Sequence, residues 1–454
     1  MSKNMKQSKG IEMVSGSLWK NIFLFSVPLM FTQLLEVLFN LSDVAVVGRY
    51  ADYRALGSVG STTLLVTLFT GFLIGMGSGV NVQTALGLGA DNKNAVEKTI
   101  HTAFVLCGLM GLLTGGICFL FAKGMLSLMN TKPELIDGAV LYLKIYAVGM
   151  PAMGIYNFGN GVMSASGDTK HPLMYLAFAG VINVILNLFF VIQCHMAAEG
   201  VALASAISQY LSAFLILAHL MRRSKQCKFQ WSKLAIHKEA AKNLLVIGIP
   251  AGIQNAIFAI ANIFVQVGVN SFDAVTVSGN AAATNADTII FNVMYAFYTG
   301  CTSFMGQNRG AGQRKRVLKS YFISLFYSFA IGAILGGLLF VFGRQFLSLF
   351  ATEAAVVDVG MQRIRIMAFS YMISAFMDCT IAASRGLGKS VAPTVIVILG
   401  SCVFRIAWIY TVFAYFHTIP SLYLLYFFSW TITSMAEILY FVHTWRKMVR
   451  EGQL

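Results

Sequence analysis

The sequence predicts an all-α membrane protein whose twelve transmembrane helices form two parallel six-helix repeats. Three observations lead to this prediction: the composition, twelve long apolar runs and an internal repeat. Of the 454 residues, 57% are hydrophobic and only 11% are charged, whereas soluble proteins carry about 25% charged residues. So little charge cannot cover a water-exposed globule, and most of the chain is therefore expected to face lipid.

The apolar runs have the length of membrane-spanning helices. A spanning helix needs about 20 predominantly apolar residues, and backbone groups inside lipid must be hydrogen-bonded internally, which favours helices. The predicted spans lie near residues 22–48, 58–86, 100–122, 139–163, 172–193, 200–221, 244–269, 280–304, 320–342, 361–384, 393–415 and 421–443.

The distribution of Lys and Arg predicts the orientation. Cytoplasmic loops carry an excess of these residues. If the N-terminus lies inside, the inner segments hold about three times as many Lys and Arg residues as the outer segments. In this count Lys3, Lys6, Lys9 and Lys225 belong to inner segments and Arg363 belongs to an outer segment. We therefore expect a multi-pass protein of the cell inner (plasma) membrane with both termini cytoplasmic. No signal peptide is predicted, because no small-residue cleavage site follows an apolar core.

The predicted domains follow from the same pattern. They are a cytoplasmic N-terminal segment at 1–21, an N-lobe of helices 1–6 at 22–221, a basic cytoplasmic connector at 222–243, a C-lobe of helices 7–12 at 244–443 and a cytoplasmic tail at 444–454.

The two halves resemble each other at an offset of about 221 residues. Pro28 aligns with Pro250, Gly89-Ala90 with Gly310-Ala311, LSLM at Leu126 with LSLF at Leu347, and Gly167 with Gly388. Six spans separate equivalent points, so the halves share one orientation. Transporters with parallel repeats place the substrate site between the repeats near the bilayer midplane.

Several motifs in this order resemble the multidrug and toxic compound extrusion (MATE) family over about residues 16–445. They are the two prolines, NLSDVAVVG in the first span, GQNRGAG after the eighth and RGLGKS after the tenth. The resemblance implies a V-shaped pair of six-helix lobes, a monomer, and antiport of organic compounds against sodium ions or protons, without a cofactor. It is closest to the DNA-damage-inducible branch.

Polar residues in the first span form a candidate functional stripe. Gln33, Glu36, Asn40 and Asp43 are spaced by three, four and three residues, which puts them on one helix face. Ionisable groups inside a bilayer are costly and usually face a cavity or a partner. A carboxylate here could exchange protons, or bind sodium if further oxygens join it. Asp43 and Glu36 are both candidate coupling carboxylates, and Asp43 could instead be an ordinary helix-end aspartate.

The family resemblance extends this candidate site to further spans. It implies an N-lobe ion-coupling cluster in which Tyr142, Asn183, Asn187 and Ser205 join Asp43. Relatives often have an aspartate where this chain has Asn187, so one negative charge is missing. Because hard cations prefer carboxylate and carbonyl oxygens, this weakens the case for a sodium site. Proton coupling through Asp43 stays open, with Glu36 as a candidate replacement charge, and the sequence does not decide between the two ions. The alternative is that these amides only tie helices together.

The second half offers fewer charges. Asn255, Asn262 and Gln266 in the seventh span are polar but neutral, and with Gln33 and Asn40 they are candidates for the substrate path. Asp287 also stands out in the eighth span. Asp378 and Arg405 lie on neighbouring predicted helices, and we expect them to form a structural ion pair.

These observations predict a secondary active efflux transporter of amphipathic, cationic small molecules. The alternative is a flippase for lipid-linked oligosaccharides of the same superfamily. The formal net charge of +15 falls in loops, so no nucleic-acid partner is expected. An enzyme is not expected either, because the chain has no HExxH motif or nucleotide-binding loop. Its seven histidines are dispersed along the sequence, which predicts no metal cluster beyond sodium at Asp43.

Overall fold

The computed structural model describes residues 10–223 and 227–454. Within these ranges the chain folds into twelve long helices, as the hydropathy predicts, while Lys3, Lys6, Lys9 and Lys225 lie outside the described residues. The helices are α1 Leu18–Tyr50, α2 Tyr53–Gly89, α3 Lys93–Leu128, α4 Pro133–Ala165, α5 Lys170–Gln193, α6 Ala198–Arg222, α7 Lys238–Asn270, α8 Ala274–Gly310, α9 Arg314–Leu347, α10 Ala354–Gly386, α11 Val391–Phe416 and α12 Ile419–Arg450.

Eleven of these helices are long and apolar enough to cross a membrane, and α8 is the exception among the described helices. It carries amide, hydroxyl and carboxylate side chains along its outer half, including Asn280, Asp287 and Asn292. The helix packs against α1, α2, α9 and α10, so these side chains face protein and cavity rather than lipid. Neighbouring helices thus permit a polarity that lipid would not.

Corresponding helices of the two halves share the same kind of N-terminal cap and the same kind of helix distortion. The Asp52 carboxylate accepts a hydrogen bond from the Ala55 amide at 2.8 Å, and Asp273 accepts one from Thr276 at 2.9 Å, so both second helices start at an aspartate cap. The hydrogen bonds from Thr276 lower the pKa of Asp273. The fifth helix of each half contains π-helical turns, at Phe189–Gln193 in α5 and Ile398–Val403 in α11.

Most helices pack mainly within their own group of six, α1–α6 or α7–α12, whereas α7 packs mainly on α2 and α3, and α1 packs on α8 and α9 as well as on α5. Helix α4 contacts α2, α3 and α6, and in the other half α10 contacts α8, α9 and α12. One large core lies in the second half and one in the first. A third lies mainly in the first half but includes Leu244 of α7, and a smaller core joins α1 to α8 and α9. Two six-helix lobes result, in agreement with the repeat.

The lobes meet at the loop ends that carry the basic residues. A Cβ atom added to Gly89 would lie 1.9 Å from the Gln307 carbonyl oxygen, and one added to Gly310 would lie 2.1 Å from the Leu86 carbonyl oxygen. Because Leu86 and Gln307 are also repeat-related, the two contacts are reciprocal. The glycines of the ALGLGADN and GQNRGAG motifs thus permit a close backbone approach.

Further contacts between the lobes lie closer to the middle of the helices. Helix α2 crosses α7 so closely that a Cβ atom on Gly75 would lie 2.2 Å from the Gly252 nitrogen. The Ser303 hydroxyl of α8 donates a hydrogen bond to the Asn81 side chain of α2 at 3.0 Å. The lobes are therefore joined from their basic-loop ends to about the level of these residues.

Residues 10–17, the N-terminal strap, cross the same closed end. The Ile11 amide donates to the Gly167 carbonyl of the first lobe at 2.9 Å. In the second lobe, Arg316 donates to the carbonyl oxygens of Met13, Ser15 and Gly16 at 3.0, 3.1 and 2.9 Å. The Met13 side chain is 1% exposed. The strap thus ties one lobe to the other.

Candidate functional site

Three connected cavities lie inside and between the lobes. A central cavity of about 400 Å³ is lined by α1, α2, α4, α7, α8 and α10. One side cavity of about 390 Å³ lies in the first lobe and another of about 400 Å³ in the second. Glu36 lines both the central and first-lobe cavities, and Asp378 lines both the central and second-lobe cavities. A carboxylate therefore lies at each junction.

The predicted stripe of α1 faces these cavities. Gln33 lines the central cavity, Glu36 lies at the junction, and Asn40 and Asp43 line the first-lobe cavity. Regular helical geometry places the four side chains in this sequence along the path. The stripe therefore leads from the space between the lobes into the first lobe.

Asp43 is the centre of a buried hydrogen-bond network. One carboxylate oxygen accepts from the Asn187 amide at 2.5 Å, and the other accepts from the Ser205 hydroxyl at 3.2 Å. Asn187 also donates to Asn183 at 3.2 Å, and Asn183 donates to Ser205 at 3.4 Å. Helices α1, α5 and α6 thus meet at a carboxylate that is 9% exposed.

Tyr142 of α4 lines the same cavity and stacks on Tyr146. The Asn187 side-chain oxygen is buried and has no hydrogen-bond partner in the described part of the chain. Buried polar atoms are normally satisfied, so this oxygen is free to accept from a protonated carboxyl or to join a cation. The residues assigned by resemblance thus lie in one cluster.

The polar residues of α7 are divided between two cavities. Asn255 lines the central cavity and donates to the Gly71 carbonyl of α2 at 3.0 Å. Asn262 and Gln266 line the second-lobe cavity. The Asn262 side chain accepts a hydrogen bond from Arg405 at 3.2 Å. Its oxygen therefore helps to hold a buried guanidinium.

The predicted ion pair between Asp378 and Arg405 is wrong. Among the described residues Asp378 forms no salt bridge, while Arg405 lies 4.6 Å above the Tyr426 ring and bonds Asn262 and Ser429. Aromatic faces stabilise a desolvated guanidinium, which removes the need for a carboxylate. Asp378 is consequently left to face the cavities.

A buried ion pair of the second lobe instead joins Arg363 to Asp287, and Tyr371 donates a hydrogen bond to the same carboxylate. Arg363 was predicted to lie in an outer segment, but α10 begins at Ala354 and buries this side chain, which is 4% exposed. The second-lobe carboxylate is therefore neutralised, whereas Asp43 has only neutral partners.

Two further buried groups were not identified from sequence. Glu437 of α12 is 0% exposed and neither of its carboxylate oxygens has a described partner. Arg385 lines the central cavity and donates to Gln254 at 2.7 Å. The signal that could have indicated them is simply a charged residue within or at the end of an apolar span.

Two of the histidines that are dispersed in the sequence lie close together in the folded chain. Asp168, His171 and His219 bring one ligand atom each to within 4.8 Å of one another at the basic-loop end of the first lobe. They come from the turn between α4 and α5, from α5 and from α6, so their proximity depends on the packing of these helices.

Comparisons with known proteins identify the family. The sequence profile of the family described as MatE matches residues 28–189 and 250–411. The chain is 29% identical to the probable multidrug resistance protein YpnP of Bacillus subtilis, covering 80% of this chain and 81% of that one. It is 26% identical to the probable multidrug resistance protein YoeA of the same organism, covering 84% of each.

Solved structures show the same fold. One is an outward-facing conformation of a multidrug resistance MATE family transporter of the MOP superfamily, which matches with a TM-score of 0.90 at 19% identity over 98% of this chain and 100% of that one. The predicted fold class, two six-helix lobes in a V shape, is confirmed.

Proposed function

Because the chain belongs to the multidrug and toxic compound extrusion family of membrane transporters, which are not enzymes, we propose that it is a secondary active efflux antiporter. It exports amphipathic, cationic small molecules in exchange for protons or sodium ions, by alternating access and without a cofactor. The transport path lies between two lobes of one chain, which supports a monomer as the working unit.

The observation that carries this proposal is the Asp43 network. Asp43 has only neutral partners and is buried at the end of a polar stripe that leads into the central cavity. Its carboxylate can therefore take up and release a proton or a cation. The paired Asp287 in the other lobe lacks this freedom because Arg363 neutralises it. We therefore assign coupling to the first lobe, with Asp43 as the primary site and Glu36 as the carboxylate between it and the substrate.

The partners of Asp43 suit a group that changes its charge. In the ionised state, Asn187 and Ser205 each donate to one carboxylate oxygen. A proton on the carboxyl can be accommodated because the Ser205 hydroxyl can rotate to accept, and the free Asn187 oxygen can also accept after the amide rotates. A sodium ion would use the same oxygens, so both ions are tested below.

The central cavity supports a cationic, partly aromatic substrate. Glu36 and Asp378 offer carboxylates, and Phe258, Phe291 and Tyr295 offer ring faces to the same space. Rings attract organic cations and desolvated carboxylates attract them further. Arg385 in the wall would oppose a cation near it, which directs the charged end of the substrate toward Glu36.

The excess of Lys and Arg in the loops at the closed end of the lobes supports a cytoplasmic location for that end. On this assignment the cavities open to the outside, and we assign the structure to the outward-facing state. A coupling ion can shift such an equilibrium only by binding the two states differently. Rearrangement of α1, which carries both carboxylates, would change the surroundings of Asp43 between the states.

Dye efflux from membrane vesicles tests the proposal. A fluorescent organic cation is loaded, and a proton or sodium gradient is imposed on wild type, Asp43→Asn and the exposed control Asp358→Asn. Gradient-driven transport by wild type and Asp358→Asn but not by Asp43→Asn is expected, and the effective gradient identifies the ion. Full transport by Asp43→Asn would exclude Asp43 as the coupling site, and no dye transport by wild type would contradict the proposed substrate class.

A further inference from the structure

The cluster of Asp168, His171 and His219 is separate from the transport path. His171 Nδ1 lies 2.9 Å from both carboxylate oxygens of Asp168, and His219 Nε2 lies 3.8 Å from one of them. The imidazole ring centres are 4.5 Å apart. None of these residues lines the three cavities described above.

We propose that this cluster is a zinc site with three protein ligands and one open position. Zinc forms bonds of about 2.0–2.1 Å to imidazole nitrogen and carboxylate oxygen, which places tetrahedral ligand atoms about 3.3 Å apart. The separations of His171 Nδ1 and His219 Nε2 from the Asp168 oxygens, 2.9 and 3.8 Å, bracket this value, and the three ligand atoms all lie within 4.8 Å of one another. Small side-chain rotations therefore bring the three ligand atoms onto one ion.

The surroundings orient the second histidine for binding. The Tyr175 hydroxyl contacts His219 Nδ1 at 2.7 Å. This contact occupies Nδ1 and leaves Nε2, the nitrogen nearest Asp168, as the free ligand atom. Hydrogen bonds of this kind at the second nitrogen are a regular feature of zinc-binding histidines.

An ion can reach the cluster from water. The side chain of Asp168 is 3% exposed, whereas those of His171 and His219 are 28% and 20% exposed. The carboxylate thus forms the buried base of the site, and the histidines form its accessible rim.

The turn itself does not require these residues, because its copy in the second lobe lacks them. Gly167 and Gly388 have φ angles of 82° and 74°. The Thr169 and Ser390 hydroxyls each donate to a carbonyl of the neighbouring first helix, at 3.0 and 3.1 Å. The glycine conformation and the hydroxyl contact with the first helix are therefore shared by both turns.

The ligand positions differ between the copies. At an offset of 221 residues, the counterparts of Asp168, His171 and His219 are Lys389, Ala392 and Tyr440, which cannot bind zinc together. The ligand set is therefore an addition to one copy of a shared scaffold.

One neighbouring charge opposes a metal ion. Arg223 Nη2 lies 3.6 Å from Asp168, and a guanidinium there competes with zinc for the carboxylate. The competing interpretation is that Asp168 only pairs with Arg223 and a protonated His171. The two interpretations differ in the effect of removing Arg223, because zinc binding would then strengthen.

The test is zinc binding by the purified full chain carrying a tag without histidine and stripped with a chelator. Equilibrium dialysis with zinc chloride, followed by metal analysis, is expected to give one ion per wild-type chain. His171→Gln and His219→Gln should weaken binding at least tenfold, and the exposed control His443→Gln should not. Tyr175→Phe should weaken binding about tenfold, and Arg223→Gln should strengthen it.

Two further measurements test the zinc site on the wild-type chain, in case a variant folds poorly. Zinc should raise the unfolding temperature of wild type, since an ion that binds only the folded state stabilises it. X-ray absorption at the zinc edge should show a shell of nitrogen and oxygen with imidazole scattering. Wild type without stoichiometric zinc, or unchanged binding by both His171→Gln and His219→Gln, would overturn the proposal.

Discussion

Replacing Arg316 by alanine should release the N-terminal strap from the second lobe. The guanidinium donates four hydrogen bonds, to the carbonyl oxygens of Met13, Ser15 and Gly16 and to the Asn308 side chain at 3.0 Å. The bonds to Ser15 and Gly16 are exposed to water and contribute little. The bond to Met13 is partly buried and should contribute about 1 kcal/mol. The bond to Asn308 joins α9 to α8 within the second lobe, so it does not hold the strap directly.

The resulting loss of about 1 kcal/mol corresponds to an approximately fivefold increase in local opening of the strap. Hydrogen exchange measured by mass spectrometry should detect it in peptides covering residues 10–17, where the Ile11 amide is bonded to Gly167. Arg316→Lys should fall between wild type and Arg316→Ala, because lysine retains the charge but not the planar fork.

The matched control is Arg314→Ala, since Arg314 lies two residues away and is exposed. It should leave exchange in residues 10–17 unchanged. Equal exchange rates in wild type and Arg316→Ala would refute the role of this guanidinium in holding the strap. Equal acceleration by both alanine variants would instead indicate a general effect of charge at this end of α9.

Three other perturbations test separate features. Gly89→Ala should disfavour the closed lobe contact by about 1–3 kcal/mol because the new methyl group overlaps a facing carbonyl, which is measurable as a lower unfolding temperature. Asp287→Asn should destabilise the chain by about 3–5 kcal/mol because it leaves the Arg363 guanidinium buried and unpaired, as measured by denaturant unfolding. A membrane-impermeant maleimide applied to intact cells should label Cys194, the exposed cysteine on the predicted outer side.

Each of these perturbations has a matched control. Gly116→Ala places a methyl group where nothing lies within 4 Å, so an equal effect there would argue against the lobe contact. Asp358→Asn removes an exposed ion pair and should cost less than about 1 kcal/mol. Burial raises the pKa of Cys227 to about 11, so this thiol stays protonated and should not react even in opened membranes. Loss of labelling in Cys194→Ser confirms the site, and labelling only after membranes are opened would reverse the assigned orientation.

Features with a period or a repeat could be predicted from the sequence. Apolar runs fixed the number of helices, and the stripe from Gln33 to Asp43 was correctly placed toward the interior because helical spacing determines the face. The helix α8 lies where a span was predicted near residues 280–304, although it is less apolar than the other eleven long helices described.

Features that depend on which helices are neighbours could not be predicted. The partner of Arg405 is an aromatic ring rather than Asp378, and hydropathy contains no information about side-chain direction between helices. Arg363 was assigned to a loop because a charge near the end of an apolar run hides the true start of α10. His171 and His219 lie 48 residues apart, and only the antiparallel packing of α5 and α6 brings them together.

The reciprocal contact of Gly89 and Gly310 has a mechanical consequence. Because each contact is the repeat-related copy of the other, both lie beside the same pseudo-twofold axis, and a movement that separates the lobes breaks both together. Such an interface has no stable half-open arrangement and is either fully formed or fully separated, as packed interfaces generally are. Intermediate widths of the basic-loop end should therefore be sparsely populated, and distance measurements between spin labels on the two lobes should give two discrete peaks rather than a continuum.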